Sequence, residues 1–174
     1  MFFIPGPLIA ILTFPGIIVH EFAHVLFCRL RKVTILEVCY FQTSDPSGYV
    51  IHDEPSDFTS TFLISMGPFF VNSLLCVLIC LPAFIPIHFF GIYSFLSYVL
   101  LWLGISIGMH AIPSNQDARN VFDQAKLAIK KGNPLAIISF PIIAAIFVFN
   151  LLRFFWADLI YAATLAFGVP ALLF

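Results

Sequence analysis

Long apolar segments alternate with shorter polar segments along this chain. The apolar segments cover approximately residues 2–28, 60–85, 89–111 and 135–174. The polar segments between them cover approximately residues 29–58 and 112–133. A helix needs about 20 predominantly apolar residues to cross a bilayer, and each of the four apolar segments reaches that length. The pattern therefore predicts a polytopic α-helical membrane protein with about four transmembrane helices.

Prolines mark the expected ends of these helices. Pro5 and Pro7 interrupt the start of the first segment, so its continuous helix is expected to begin near Pro15 after a broken or re-entrant lead-in. Pro82 and Pro86 are expected to end the second helix, because proline removes a backbone donor and clashes with the preceding turn.

The last apolar segment is ambiguous. Its 40 residues are too many for one crossing and few for two crossings with a loop, and Asn150, Arg153 and Asp158 lie in its middle. Either one long tilted helix leaves the membrane, or two short spans meet at this polar point. The sequence favours a fourth span and leaves the C-terminal piece open, including a fifth span.

The two polar segments contain their own structure. Residues 33–41 are rich in β-branched and aromatic side chains, turn-forming residues follow at 43–48, and 49–52 has the pattern of a return strand. This pattern predicts a small β-hairpin between the first two spans. Residues 115–131 have helical composition and end at a Gly-Asn-Pro sequence, which predicts a polar helix after the third span.

Composition and charge agree with a protein that partners a lipid bilayer. Hydrophobic residues make up 61% of the chain and charged residues 10%, whereas soluble domains have about 45–50% and about 25%. The net charge is −1, so the chain has no basic surface for a nucleic-acid partner. Seven of the eight basic residues lie in the two polar segments: Arg29, Arg31, Lys32, Arg119, Lys126, Lys130 and Lys131. The positive-inside rule therefore predicts an external N-terminus, with both polar segments on the cytoplasmic side.

The candidate chemistry lies near the end of the first span, where residues 20–24 read His-Glu-Phe-Ala-His. This is the HExxH pattern. On a helix, His20 and His24 share one face and can bind one Zn²⁺, and Glu21 lies beside them as a candidate general base. Ionisable residues are costly inside a membrane, which also favours a functional role.

A catalytic zinc ion usually has a third protein ligand. Asp117 follows the third span on the predicted cytoplasmic side and is favoured, with His110 as the alternative. His88 is expected at the opposite membrane face. Asp123 lies further along a solvated basic helix, and Asp158 is placed to pair within the C-terminal segment.

Taken in order, these motifs resemble the site-2 protease family of intramembrane zinc metalloproteases. The resemblance covers about residues 15–120 and includes HExxH, the hairpin, a Gly-Pro-Phe-Phe-Val-Asn sequence ending at Asn72, and a proline-containing loop before Asp117. It is closest to small bacterial and archaeal members without a PDZ-like domain. Where the family loop has Asn and then Leu-Asp-Gly, this chain has His110 and then Gln-Asp-Ala.

The resemblance implies one transmembrane metallopeptidase-like domain over 1–174, with a catalytic core at about 15–120 and C-terminal transmembrane segments at 134–174. It implies one Zn²⁺ per chain on His20, His24 and Asp117, with Glu21 as catalytic base. The expected reaction is peptide-bond hydrolysis in a transmembrane protein substrate near the cytoplasmic face. The hairpin would lie beside the active site and pair with an unwound substrate strand.

Three points remain open from the sequence. Asn72 and His110 could steady the oxyanion or support the metal ligands, although Asn72 could equally form interhelical hydrogen bonds. A catalytically inactive metal-binding scaffold would retain the fold and the metal without cleaving anything. A small ion transporter is a third hypothesis, although the chain has none of the internal repeats that are common in transporters.

Overall fold

The structure is a computed structural model that describes residues 5–173, so residues 2–4 of the first predicted segment and Phe174 lie outside the described residues. Helices dominate it. The helices are α1 (Gly6–Leu12), α2 (Phe14–Leu30), α3 (Phe58–Phe90), α4 (Phe95–Met109), α5 (Asn115–Lys130), α6 (Leu135–Leu152), α7 (Ala157–Ala163) and α8 (Val169–Leu173). The strands are β1 (Ile35–Cys39) and β2 (Tyr49–His52).

Two of the described helical segments, Phe58–Phe90 and Ala136–Phe155, are long and apolar enough to cross a membrane. The bent pair α1 and α2 adds a third if it counts as one span. Two further apolar segments, Phe95–Met109 and Ala157–Leu173, are shorter than 18 residues. The described chain therefore has two or three helices of spanning length, where the sequence pattern predicts four or five crossings.

The N-terminal segment is broken, as its prolines predict. α1 and α2 meet at Thr13 with a bend of 82° between them. Pro15 lies in the first turn of α2, where a missing backbone donor costs no helical hydrogen bond. The bend directs α1 away from the axis of α2 and places it beside the candidate site.

α3 differs from the sequence expectation, because it continues through both prolines that were expected to end it. It is one helix of 33 residues that includes Pro82 and Pro86. Each proline removes a single donor, and a long apolar helix tolerates this loss because its other backbone groups remain paired. The helix ends instead at Gly91, which has φ +62° and donates to the carbonyl of Ile87. α4 consequently begins at Phe95, six residues after the predicted start.

The polar segments follow the prediction more closely. β1 and β2 form an antiparallel hairpin in which Cys39 pairs with Tyr49. α5 begins and ends within one residue of the predicted helix. Its small buried side chains, Ala118, Val121, Ala125 and Ala128, pack with residues of α3 and α6 into one core cluster.

The C-terminal segment breaks at the polar point noted in the sequence. A short 3₁₀ turn, Arg153–Phe155, follows α6, and Trp156 adopts a left-handed conformation before α7 begins. A π-helical stretch, Thr164–Gly168, connects α7 to α8. The segment is therefore two helical pieces rather than one long tilted helix.

Close helix packing fixes the position of α2. Gly16 lies so close to α4 that a methyl group there would overlap the carbonyl oxygen of Ser106. A Cβ on Gly67 of α3 would overlap the ring of Phe27. Because these contacts hold α2 against both α3 and α4, the HExxH face is fixed relative to the loop that follows α4.

Candidate metal centre

His20 and His24 lie on one face of α2, as the four-residue spacing predicts. Their Nε2 atoms are 3.2 Å apart, and their rings meet edge to face at 4.9 Å between centroids. His24 is buried and His20 is half-buried. The two imidazoles therefore present their Nε2 atoms to the same point.

Each imidazole is oriented by a backbone carbonyl on its opposite nitrogen. His20 Nδ1 lies 2.6 Å from the carbonyl oxygen of His110, and His24 Nδ1 lies 2.9 Å from that of Ile64. A carbonyl oxygen can only accept, so both Nδ1 atoms donate their protons. In the neutral imidazoles both Nε2 atoms then carry lone pairs, and two such acceptors facing each other favour a cation between them.

Asp117 brings a carboxylate to the same point from the first turn of α5. Its Oδ1 lies 3.5 Å from His24 Nε2. Its Oδ2 accepts from the backbone N–H of Ser114 at 2.8 Å and from the Ser114 hydroxyl at 2.6 Å. The Ser114 hydroxyl oxygen in turn accepts from the Asp117 N–H, which completes a capping box. The cap thus fixes one carboxylate oxygen and leaves the other facing the imidazoles.

The three groups fit a metal ion. The ligand atoms of His20, His24 and Asp117 all lie within 4.8 Å of one another. A tetrahedral zinc ion with bonds of about 2.0–2.1 Å sets its ligand atoms roughly 3.3 Å apart, close to the measured 3.2 and 3.5 Å. The donor set is two neutral imidazoles and one carboxylate, with the second nitrogen or oxygen of each group already hydrogen-bonded. This cluster could hold a metal ion.

Glu21 lies beside the cluster, under the hairpin. Its side chain is only 8% exposed. Gly48, just before β2, packs so closely that a Cβ there would lie 2.8 Å from Glu21 Cγ. The absence of a side chain at Gly48 therefore allows the hairpin to cover Glu21 without displacing it.

Two cavities meet at the candidate metal centre. One, of about 280 Å³, extends towards α1, and the other, of about 240 Å³, extends towards the hairpin and α5. Both are lined by His20, Glu21, Gly48 and Ser114. The two cavities therefore adjoin at His20 and Glu21 and together outline a groove beside the ligand cluster.

His110 contributes its backbone rather than its imidazole to the cluster. Its carbonyl accepts from His20, whereas its Nε2 lies 2.8 Å from the Thr13 hydroxyl. The Thr13 hydroxyl donates to the Ile9 carbonyl, so His110 Nε2 is the donor to Thr13. The imidazole therefore ties α4 to the bend between α1 and α2.

Asn72 is completely buried behind the same carbonyl. Its Nδ2 lies 3.1–3.3 Å from the carbonyl oxygens of Gly16, Ile107 and His110. Its amide nitrogen thus ties α3 to α2 and α4, and its contact with His110 reaches the carbonyl that orients His20. Asn72 does not line either of the two cavities described above.

Sequence reasoning did not identify two residues that hold the loop before α5. Asn150 donates to the carbonyl of Pro113 at 3.0 Å, and Arg153 donates to the carbonyl of Ile112 at 3.0 Å. In the sequence both residues are only a polar interruption of the last apolar segment. Their partners lie 37 and 41 residues away, so no local pattern could have indicated them.

Known proteins give no independent support for a family. No family model, no curated protein and no solved structure matches this chain. Any function for this chain therefore rests on its own residues and their geometry.

Proposed function

We propose that this protein is an intramembrane zinc metalloprotease of the site-2 protease type, which hydrolyses peptide bonds of transmembrane substrates near the cytoplasmic face. The observation that carries the proposal is the pair of Nε2 atoms, 3.2 Å apart and both free of protons in the neutral imidazoles, with the Asp117 carboxylate beside them. The motifs that resemble the family add support from the sequence.

His20, His24 and Asp117 would hold the zinc ion. When bound, zinc lowers the pKa of a coordinated water and polarises a carbonyl group. Glu21 takes a proton from the attacking water and passes it to the leaving amine. Its position in both cavities supports this role, because a base must reach both the water and the scissile bond.

The membrane arrangement is part of the proposal. The apolar helices have many exposed large hydrophobic side chains, for example Phe95 at 85% and Leu151 at 74% exposure, which suits lipid contact better than water. We place the N-terminus outside, with about four crossings and a fifth if the α7–α8 piece also spans. The active site then opens towards the cytoplasmic side, where the hairpin and α5 lie.

The hairpin provides a surface for an extended substrate. Tyr49, Val50 and His52 of β2 line the 240 Å³ cavity, next to the candidate ligands. A transmembrane substrate must unwind before cleavage, because the backbone groups of an intact helix are already paired. An unwound substrate strand can then add to the open edge of the hairpin by backbone hydrogen bonds.

Metal content tests the centre directly. Detergent-purified wild type, Asp117→Ala, His110→Ala and the control Asp123→Ala are analysed by inductively coupled plasma mass spectrometry. We expect about one zinc per chain in wild type and Asp123→Ala, since Asp123 is exposed and pairs with Lys126, and a large loss in Asp117→Ala. If His110→Ala loses its zinc and Asp117→Ala keeps it, the third ligand is His110 instead of Asp117. Absence of metal from folded wild type would refute the zinc centre.

Glu21→Gln tests catalysis separately from metal binding. The substrate is a quenched fluorescent transmembrane peptide in liposomes that contain the protein. We expect cleavage to fall about 10²–10⁴-fold, because the amide cannot accept the proton, while zinc content stays at the wild-type level. Zinc binding without cleavage by wild type across a panel of such peptides would instead favour the metal-binding scaffold.

A further inference from the structure

Arg153 is a charged residue in the middle of an apolar segment, and only part of its hydrogen-bonding capacity is satisfied within the protein. It lies in the 3₁₀ turn between α6 and α7 and is half-buried. One guanidinium nitrogen, Nη2, donates to the Ile112 carbonyl. Its Nε is buried without a hydrogen-bond partner. Among the described residues, the Nε–H donor of the guanidinium thus has no partner.

No acidic side chain pairs with Arg153 in the part of the chain that the structure describes. The ion pairs of lysine and arginine there are Arg31–Asp57 and Lys126–Asp123, and the Asp117 carboxylate faces His24. Asp158, the nearest acid along the chain, accepts from the backbone N–H of Leu159 instead. Asp158 and Asp117 act on the Arg153 charge electrostatically, but neither carboxylate lies within ion-pair distance of it. A half-buried charge without a directly bonded partner is costly, and it is typical of a group that meets its partner in a bound ligand.

Arg153 lines the 280 Å³ cavity. His20 and Glu21 lie on the same cavity, and Ile9 and Ile17 supply apolar walls. This cavity is the end of the groove that reaches α1. A substrate chain that passes Glu21 can therefore direct a side chain or its terminus towards Arg153.

We propose that Arg153 is the anchor of a binding subsite for a carboxylate group of the peptide substrate. A guanidinium presents parallel N–H donors that match the two oxygens of a carboxylate. The carboxylate can belong to an aspartate or glutamate side chain or to the C-terminus of the peptide. The identity of the ligand as a peptide rests on the proposed function. The recognition of a carboxylate rests on the position of Arg153 alone.

A purely structural role is the competing explanation. Arg153 could serve only to hold the 112–113 loop, as Asn150 does three residues earlier. The two explanations differ in one respect, because holding a carbonyl needs a donor but no charge, whereas binding a carboxylate needs the charge. Arg153→Gln keeps a donor without the charge, Arg153→Lys keeps the charge, and Asn150→Ala removes the neighbouring contact to the same loop while it keeps the guanidinium.

The test is a binding measurement that does not depend on cleavage. All variants carry Glu21→Gln and are stripped of zinc with a chelator, and fluorescence anisotropy follows a labelled apolar peptide in detergent micelles. The peptides form two matched pairs, one with glutamate or glutamine at an internal position and one with a free or amidated C-terminus. Empty micelles correct for partitioning into detergent.

We expect one of the carboxylate peptides to bind about tenfold or more tightly than its neutral match, as is common for hydrogen bonds to charged groups. The ratio of the dissociation constants of the neutral and the carboxylate peptide is the measured quantity. The pair of peptides with the raised ratio identifies the source of the carboxylate. Arg153→Gln should reduce the ratio to near one, and Arg153→Lys should retain part of it. Asn150→Ala disturbs the loop but keeps the charge, so it should weaken both peptides of a pair alike and retain the ratio. A ratio near one with the parent protein, or an unchanged ratio in Arg153→Gln, would overturn the proposal.

A second measurement needs no substitution at Arg153. Phenylglyoxal modifies accessible arginine side chains, and peptide mapping by mass spectrometry reports the site. We expect the preferred carboxylate peptide to protect Arg153, with no protection of Arg29, which is exposed and does not line the cavity. The same mapping is repeated with phosphatidylglycerol in place of the peptide. If the peptide leaves Arg153 unprotected, or if phosphatidylglycerol protects it and the peptide does not, the proposal is overturned. Protection without zinc binding or cleavage would support the subsite and refute the protease.

Discussion

α2 and the junction between α6 and α7 both place polar side chains within apolar helices, but they use them differently. In α2, His20 and His24 lie four residues apart and direct their Nε2 atoms to each other. At the junction, Asn150 and Arg153 each bind a backbone carbonyl of a distant loop. α2 therefore concentrates its polar groups into a centre, and the junction supports the loop that completes that centre.

The difference explains which region a sequence motif can reveal. The partners in α2 are neighbours on one helix, so helical periodicity brings them together without any knowledge of the fold. The partners of Asn150 and Arg153 depend on how the last helices fold back on α3 and α4. The supporting contacts are as specific as the ligand cluster, but they have no local pattern.

The largest expected effect concerns Asn72, which supports α2 from behind. Asn72→Asp replaces a buried donor with acceptors that face the carbonyls of Gly16, Ile107 and His110. We expect a destabilisation of several kcal/mol, within the roughly 2–7 kcal/mol cost of burying an unpaired polar group. Thermal unfolding in detergent, followed by tryptophan fluorescence, measures it.

The matched control is Asn120→Asp, because Asn120 is exposed on α5. It should change the unfolding temperature little. Equal effects of the two substitutions would contradict the support that we assign to Asn72.

A second prediction concerns the close approach of α2 to α4. A methyl group in Gly16→Ala would overlap the Ser106 carbonyl, and it would lie 2.6 Å from the His110 ring. The helices must separate, so we expect a loss of about 1–3 kcal/mol and weaker zinc binding, because His110 orients His20. Gly6→Ala is the control, since nothing lies within 4 Å of a Cβ at that position. Unfolding and zinc titration measure both variants.

A third prediction measures how much the C-terminal junction contributes to the centre. Asn150→Ala frees the Pro113 carbonyl in the loop before Asp117, so we expect zinc affinity to fall by about tenfold, at the low end for residues that orient metal ligands. Ser139→Ala is the control, because the Ser139 hydroxyl donates within its own helix, to Ala136. Competition with a zinc chelator gives the zinc affinity of each variant. Equal affinities for Asn150→Ala and Ser139→Ala would show that the contact of the junction with the loop does not contribute to zinc binding.

The smallest expected effect lies at the start of α3, outside both regions. The hydroxyl and backbone N–H of Ser60, together with Arg31, hold the pKa of Asp57 below its ordinary value. The Asp57 carboxylate therefore stabilises the fold above its unfolded-state pKa of about 3.9, and this contribution is lost as the pH falls through the lower folded-state pKa.

Asp57→Asn tests this contribution. It should lower the unfolding temperature at pH 6 by an amount equivalent to less than about 1 kcal/mol, since the pair is exposed. The difference from wild type should shrink as the pH approaches 2.5. The exposed Asp53 serves as the control in Asp53→Asn, and a difference for Asp57→Asn that does not depend on pH would contradict the assignment.

The sequence by itself determined the features that arise from contacts between near neighbours. The helical spacing of His20 and His24, the hairpin between the first two long helices, and the polar helix α5 all depend on periodicity and turn residues within a few positions. The same reasoning misplaced the end of α3, because the stop is decided by Gly91 and its cap rather than by the two prolines before it.

Only the tertiary structure decided what surrounds the motif. The carbonyls that orient the two imidazoles lie 90 and 40 residues away along the chain. The packing of α4 and α5 brings the Asp117 carboxylate to the imidazoles and turns the His110 ring towards Thr13. Helix periodicity orders residues along one element, whereas the distance between elements depends on side-chain packing over the whole chain, as at Gly16 and Asn72.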